Sequence, residues 1–269
     1  MDKLLKKGYI VHEMKIRVLT LVLLMVTAGL WAQHTPVVKN SLPEWLIPLR
    51  EAVYEQKLNA DMVTPIYRSA RAASQEHVSG AALELAFARC EYLMGRALLF
   101  EKREKEARVH FVEGMRLAEK VIETALGADS THGADSTHGA EAWLLLAENL
   151  SQNCSIGPWT YTAANGLNVD KFAKNALAYN SRNAAAQYLV AARWVFAPAP
   201  FHNHRRGIEM MLAILENGDV EKDDLFNVYS AIGYAYIQQK KSAEARSWLL
   251  QSLEIYPSNQ FAADLLGKK

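Results

Sequence analysis

Two histidines that flank one asparagine are the clearest candidates in the chain for a chemically active cluster. His202, Asn203 and His204 follow two prolines, and imidazole nitrogens are common ligands of zinc. A metal site needs three or four converging ligands, and no second cluster at ligand spacing accompanies this one. The compact strand–strand–helix unit of an HNH nuclease does not fit the surrounding helical pattern. We therefore interpret the segment as a polar loop and predict no metal and no cofactor.

A second pair of histidines lies in a short tandem duplication. Residues 127–138 read GADSTHGADSTH, two identical units of six residues. These units are polar and contain glycine, so they have nothing with which to build a core. We predict a solvated surface loop, and weak metal binding by His132 and His138 is the alternative.

The sequence contains no motif of a known catalytic mechanism. It has no GxSxG turn, no HExxH zinc motif and no Walker loop for phosphate. Lysine plus arginine (30) nearly equal aspartate plus glutamate (29), whereas proteins that bind nucleic acid usually carry a basic face. We predict a protein that is not an enzyme and does not bind nucleic acid, and an enzyme of unrecognised type is the alternative.

Amphipathic helix pairs are the elements that would position functional residues, and residues 226–257 show the pattern best. Gly233, Ala245 and Pro257 follow one another at equal intervals along the chain. A glycine inside a helix costs about 1 kcal/mol relative to alanine, so its presence favours a close contact with another helix. Ala245 supplies the matching small surface, and apolar residues at spacings of three and four fill the rest of the stripe.

This pattern resembles the tetratricopeptide repeat, a helix–turn–helix unit of about 34 residues. The places of that motif are filled by Tyr229, Ile232, Gly233, Tyr236, Ala245, Leu249, Ser252 and Pro257. Gly95 and Ala107, separated by the same interval as Gly233 and Ala245, mark an earlier pair. The resemblance implies an all-α fold, a right-handed α-solenoid of helix hairpins, and binding rather than catalysis.

We predict one helical repeat domain over residues 33–269. Its helix pairs lie near 44–75, 81–125, 140–180, 184–217 and 224–257, with a capping helix at 258–267. The interval from Ala147 to Asn180 in the third pair is about nine residues longer than the corresponding interval from Gly233 to Pro257. Because insertions in repeats usually form loops, we expect an enlarged loop within 151–168.

The tetratricopeptide resemblance also implies which side chains face the concave surface. In such a stack the first helix of each pair lines that surface, and the residue after the small packing residue points into it. With Trp159 from the enlarged loop, the predicted binding residues are Tyr92, Arg96, Glu148, Trp159, Arg193 and Tyr234. Arginine and tyrosine bind peptides and carboxylates through bidentate hydrogen bonds and rigid aromatic surface. The alternative is a solvated face on which Arg96 pairs with a neighbouring glutamate.

A narrower resemblance covers roughly residues 80–266. The enlarged loop with Trp159, the connector from Pro198 to His204 and the well-formed last pair look like the tetratricopeptide component of periplasmic TRAP-type transporters. That resemblance implies a partner in the cell envelope, a solute-binding subunit of a transporter. The chain lacks the lipid-anchor cysteine of that family, which argues against membrane anchoring.

The N-terminus has the features of a secretory signal peptide. Basic residues directly after Met14 precede an apolar run over 18–30, which is too short for an ordinary membrane span. Ala32 offers a small residue for cleavage. We predict residues 1–32 as the signal peptide, with Met14 as an alternative start, and a periplasmic or otherwise exported protein with no stable membrane span after cleavage. An uncleaved anchor is the alternative.

Two cysteines leave the redox state of the protein open. Cys90 lies in a predicted helix and Cys154 in a predicted loop. In an exported protein the two could form a disulfide, and two free thiols are the alternative.

Two functions follow from these observations. The favoured one is an exported scaffold that binds a protein or peptide partner in the cell envelope in association with a solute transporter. The alternative is a periplasmic solute-binding protein that holds a small molecule between Trp159, Arg193 and the concave wall. The sequence leaves the oligomeric state open, including a homo-oligomer.

Overall fold

The fold is all-α. The structure, a computed structural model, describes residues 38, 41–127 and 136–267. Within them the α-helices are α1 (Ile47–Glu55), α2 (Ala60–His77), α3 (Gly80–Phe100), α4 (Glu104–Gly127), α5 (Ser136–Ile156), α6 (Trp159–Tyr179), α7 (Ala184–Phe196), α8 (His204–Asn217), α9 (Lys222–Gln238), α10 (Ser242–Ile255) and α11 (Gln260–Gly267). None of these helices is long and apolar enough to cross a membrane. The predicted signal peptide and most of the tandem duplication lie outside the described residues.

The helices stack as consecutive hairpins. Each helix packs against the next along the chain, from α1 to α11. The first helices of successive hairpins, α1, α3, α5, α7 and α9, also pack side by side, and they therefore form an inner layer. This packing confirms the predicted all-α solenoid.

Small residues let the two helices of a hairpin approach closely, as the sequence predicts. A Cβ atom added at Gly95 would lie 2.5 Å from Cε1 of Phe111, a fully buried ring on α4. One added at Gly233 would lie 2.7 Å from Cγ of Leu249 and 3.4 Å from the carbonyl oxygen of Ala245. Neither glycine can therefore carry a side chain unless its neighbours move.

The first hairpin contacts the last one, and the sequence does not predict this closure. The ring of Tyr54 on α1 stacks on Tyr256 with centroids 5.0 Å apart and meets the edge of Phe226 at 5.7 Å. Asn259 donates a hydrogen bond of 2.8 Å to the carbonyl oxygen of Tyr54. Arg50 pairs with Glu221 at 3.3 Å. The inner layer is therefore a closed ring of helices rather than an open groove.

The prediction of an enlarged loop in the third hairpin is wrong. Helix α5 continues to Ile156 and α6 begins at Trp159, so the additional residues lengthen both helices. Polar side chains hold the corner between them. Thr162 donates a hydrogen bond of 2.7 Å to the carbonyl oxygen of Cys154, and Asn153 donates one of 2.9 Å to the hydroxyl of Tyr161. Polar residues that suggest a loop in the sequence thus stabilise a helical corner.

Both cysteines are buried free thiols. Cys90 lies in α3, and Cys154 lies in α5 rather than in the predicted loop. Burial raises the pKa of the Cys90 thiol to about 12, which keeps it protonated at neutral pH. The disulfide that the sequence left open is not formed.

Candidate functional site

Two adjoining cavities lie inside the ring of inner helices. One has a volume of about 370 Å³ and is lined mainly by the C-terminal halves of α3 and α5, by α7 and by the N-terminal part of α9. The other has a volume of about 660 Å³ and lies at the N-terminal ends of the same helices. Tyr92, Glu148, Ala185 and Asp224 line both cavities, and they form the wall between them.

Several aromatic side chains, together with polar ones such as Ser151 and Gln152, line the smaller cavity, which we call the aromatic cavity. Its walls include Tyr92, Phe100, Tyr188, Phe196, Phe226 and Phe261. Cavities of a few hundred Å³ with apolar walls and few polar groups are typical binding sites for small molecules. The aromatic cavity therefore has the size and lining of such a site.

Arg96 supplies the positive charge of the aromatic cavity. Its Nη1 atom donates hydrogen bonds to the hydroxyls of Tyr54 and, at 3.3 Å, Tyr92. Its guanidinium also lies over the ring of Tyr54, 4.3 Å from the centroid. A guanidinium stays protonated in proteins, so a full positive charge faces this cavity.

No carboxylate of the described residues forms an ion pair with Arg96. Both of its hydrogen-bond partners in this part of the chain are tyrosine hydroxyls, and its Nε and Nη2 atoms donate to no described residue. The alternative in which Arg96 pairs with a neighbouring glutamate is therefore not what the structure shows. Two N–H-bearing atoms of a cationic group remain available to a ligand.

A second polar group without a partner also belongs to the aromatic cavity. Ser230 on α9 lines this cavity and is only 2% exposed. Its Oγ atom has no hydrogen-bond partner among the described residues. Buried hydroxyls are nearly always hydrogen-bonded, so the unpartnered Ser230 points to a group that binds there.

An ion pair forms the wall between the cavities. Nη1 of Arg89 lies 2.5 Å from Oε2 of Glu148, and Nη2 lies 2.7 Å from Oε1 of Glu141. Burial raises the pKa of Glu148 to about 7, although the charge of Arg89 lowers it. Glu148 therefore changes its charge near neutral pH.

Asp224 adds a second buried carboxyl to this wall. It caps the start of α9 by accepting a hydrogen bond of 3.0 Å from the backbone N–H of Glu221. Burial, together with the nearby charge of Asp223, raises the pKa of Asp224 well above its usual value. Burial thus disfavours the charged form of both carboxyl groups in this wall.

The larger cavity, which we call the acidic cavity, is lined by several carboxylates. These are Glu141, Glu148, Asp219, Glu221, Asp223 and Asp224. Arg50 pairs with Glu221 and, at 3.5 Å, with Asp223, and Arg89 pairs with Glu141 and Glu148. These charges hold the inner helices and the closure of the ring together.

The structure brings together three of the six residues that the sequence singled out. Tyr92, Arg96 and Glu148 line the aromatic cavity. The other three line neither cavity. Trp159 is 79% exposed at the start of α6, Arg193 pairs with Asp170 on α6 at 3.4 Å, and Tyr234 packs behind Phe196. Neither of the two cavities therefore lies between Trp159 and Arg193.

Sequence reasoning missed Arg89, Tyr188 and the unpartnered state of Ser230. Arg89, Tyr92 and Arg96 are spaced by three and four residues, which places them on one face of α3. That spacing was the signal that could have identified Arg89. Tyr188 gave no comparable signal, because its role depends on how α7 sits in the closed ring.

The His202–Asn203–His204 cluster forms the start of helix α8. Asn203 caps α8 by accepting a hydrogen bond of 3.1 Å from the backbone N–H of Arg206. The two imidazole rings stack with centroids 4.3 Å apart. Among the described residues no group of three or more histidines, cysteines or carboxylates is placed to hold a metal ion.

Comparison with known proteins adds no functional information, because neither the protein-family models nor the curated proteins give a match to this chain. The chemistry of the two cavities is therefore the basis for a functional hypothesis.

Proposed function

We propose that this protein binds a small organic molecule in the aromatic cavity. The observation that carries the proposal is Arg96, a cationic side chain inside an aromatic-lined cavity with no carboxylate partner among the described residues. Arg96 is partly exposed, so a ligand in the cavity can reach its free N–H groups and accept charge-assisted hydrogen bonds from them. The basic and apolar segments at the N-terminus of the sequence support a place for this binding in the periplasm.

Closure of the ring favours a small molecule over a peptide. A peptide bound along the concave surface needs an open groove, and α1 occupies the gap between α3 and α9 through Tyr54. Asn227 on α9 donates a hydrogen bond of 3.1 Å to the hydroxyl of Tyr54, to which Arg96 on α3 also donates. A compact ligand fits the remaining space without opening this contact.

A thermal-shift screen with a cavity-blocking variant tests the proposal. Ala192 lines the aromatic cavity, so Ala192→Trp fills it. A ligand at about 100 times its Kd stabilises the folded state by about 2.7 kcal/mol. We expect such a ligand to raise the Tm of the wild type by about 5 to 10 °C and to leave the Tm of Ala192→Trp unchanged.

The control is Ala243→Trp, which places the same side chain at an exposed position of α10. It should respond to ligands like the wild type. The proposal fails if no compound in a broad panel of acids, amides, amines and sugars shifts the wild type. It also fails if Ala192→Trp responds as strongly as the control.

A second candidate function is docking of an envelope protein on the outer face of α6. Trp159 and Leu167 are 79% and 75% exposed, and their spacing of eight residues places them on one side of the helix. Exposed tryptophan is a frequent anchor of protein interfaces. This candidate keeps the predicted association with a transporter subunit and moves its contact from the concave to the convex side.

Docking predicts one stoichiometric complex that depends on Trp159. Chemical cross-linking in an envelope extract should join the wild type to a single partner, and Trp159→Ser should lose at least about nine-tenths of that product. Ala243→Trp should keep it. Equal cross-linking of the wild type and Trp159→Ser excludes this surface.

A further inference from the structure

The polar groups of the aromatic cavity define the chemistry of its ligand. Within the described residues, the cavity has one cation without a carboxylate partner, Arg96, and one buried hydroxyl without a partner, Ser230. Its other walls combine aromatic rings and small apolar side chains with neutral polar residues such as Ser151, Gln152 and Asn227. A ligand with one anionic end and a mainly apolar body meets the cation and the rings of this lining.

We infer that the ligand is a monocarboxylate whose carboxylate binds Arg96 and Ser230 and whose flat or acyl body lies among the aromatic rings. This inference rests on the proposed function, since it names the ligand class of the same cavity. The free Nε and Nη2 atoms of Arg96 form the edge of the guanidinium that binds a carboxylate through two parallel hydrogen bonds. The hydroxyl of Ser230 donates a third hydrogen bond.

Pre-organisation of Arg96 supports this assignment. Tyr54 and Tyr92 hold its Nη1 atom, and the rings of Tyr54 and Phe100 lie 4.3 and 5.7 Å from its guanidinium carbon. A side chain fixed in this way loses little conformational entropy when a ligand binds. Its unused edge is therefore a prepared carboxylate site rather than a flexible surface arginine.

The wall of the cavity favours a single negative charge over a doubly charged phosphate. Glu148 and Asp224 line the same cavity, and their carboxyl groups repel further negative charge when they ionise. A monocarboxylate gains the interaction with Arg96 at the smallest cost from these groups. A volume of about 370 Å³ suits an aryl-acetate or a short fatty acid.

Matched acid and amide pairs test the inference on the full mature chain. The probes are phenylacetate with phenylacetamide, indole-3-acetate with indole-3-acetamide, and hexanoate with hexanamide, measured by isothermal titration calorimetry at pH 7. An amide keeps the shape and removes the charge. We expect at least one acid to bind about tenfold or more tightly than its amide, because charge-assisted bidentate pairs are the stronger ones.

Two variants assign the effect to named atoms. Arg96→Met should weaken binding of the acid by about tenfold or more and should leave the amide within about twofold. Ser230→Ala should weaken the acid by about threefold to tenfold, the effect of one hydrogen bond. Arg116→Met, which removes an exposed arginine of α4, should change neither. If Arg96→Met does not fold, Ser230→Ala and the wild-type comparison decide the question.

The outcomes of these experiments distinguish a failure of the carboxylate assignment from a failure of small-molecule binding itself. Equal affinity of acid and amide in every pair, or no binding by any member, overturns the carboxylate assignment. Tighter binding of benzylphosphonate than of phenylacetate also overturns it. In each of these cases small-molecule binding itself stands if the broad panel still shifts the wild type and not Ala192→Trp, and it falls if that panel fails too.

Discussion

Replacing Gly233 by leucine is expected to lower the free energy of unfolding by about 3 kcal/mol. A Cβ at this position would lie 2.7 Å from Cγ and 2.8 Å from Cδ2 of Leu249, closer than carbon atoms can pack. The rest of a leucine side chain has to push α9 and α10 apart. Urea titration followed by circular dichroism measures the change.

The same substitution should also open the ring. Tyr256 directly follows α10 and stacks on Tyr54 of α1, so a displaced α10 disturbs the closure. We expect the aromatic cavity to lose its ligand-induced thermal shift in Gly233→Leu, even at temperatures where the variant is folded.

Gly166 provides the control, because it is a helical glycine with space around it. A Cβ at Gly166 would have only Cγ2 of Thr162 nearby, at 3.9 Å. Gly166→Ala should therefore stabilise the protein by up to about 1 kcal/mol through helix propensity. If Gly233→Leu unfolds at the same urea concentration as the wild type, close nesting of the hairpins is not what the glycine provides.

The hairpins could be predicted because their determinants are local. The same short interval separates Gly95 from Ala107 and Gly233 from Ala245, and each glycine packs against the second helix of its own hairpin. Their positions relative to the small packing residues predicted that Tyr92, Arg96 and Glu148 lie on the inner side of their helices, and the structure has them there. Membership in the tetratricopeptide family and the handedness of the stack stay predictions.

The closure of the ring could not be predicted, because its contacts join residues that are distant in the sequence. Tyr54 meets Phe226 and Tyr256, and no local pattern marks that pairing. Arg193 and Tyr234 fail to line a cavity for a related reason. Asp170 on the neighbouring α6 pairs with Arg193, and Phe196 covers Tyr234, so the register alone does not decide which side chain reaches the interior.

The charge of Glu148 should make the stability of the protein depend on pH. Burial raises the pKa of Glu148 from 4.5 to about 7, with Glu141 and Asp223 adding to the rise and Arg89 and Arg96 opposing it. Between these pH values the folded state holds a proton that the unfolded state has released. The contribution of Glu148 to the free energy of unfolding is therefore fully present below about pH 4.5, and it is lost as the pH rises through about 7.

Comparison with Glu148→Gln isolates this contribution, since glutamine resembles the protonated acid at every pH. A rise in pKa from 4.5 to about 7 corresponds to roughly 3 kcal/mol. We expect the stability of Glu148→Gln relative to the wild type to increase by up to that amount between pH 5 and pH 8.5. Urea titrations at four or five pH values measure the difference.

Glu209→Gln is the control, because Glu209 is an exposed residue of α8 that pairs, among the described residues, only with Arg205. Its pH profile should run parallel to that of the wild type. If Glu148→Gln also runs parallel, Arg89 compensates the carboxylate fully and the wall between the cavities is a permanent ion pair. A diverging profile instead means that this wall gains negative charge near neutral pH. The charge then develops next to Arg96, so anion binding in the aromatic cavity and ionisation of Glu148 oppose each other.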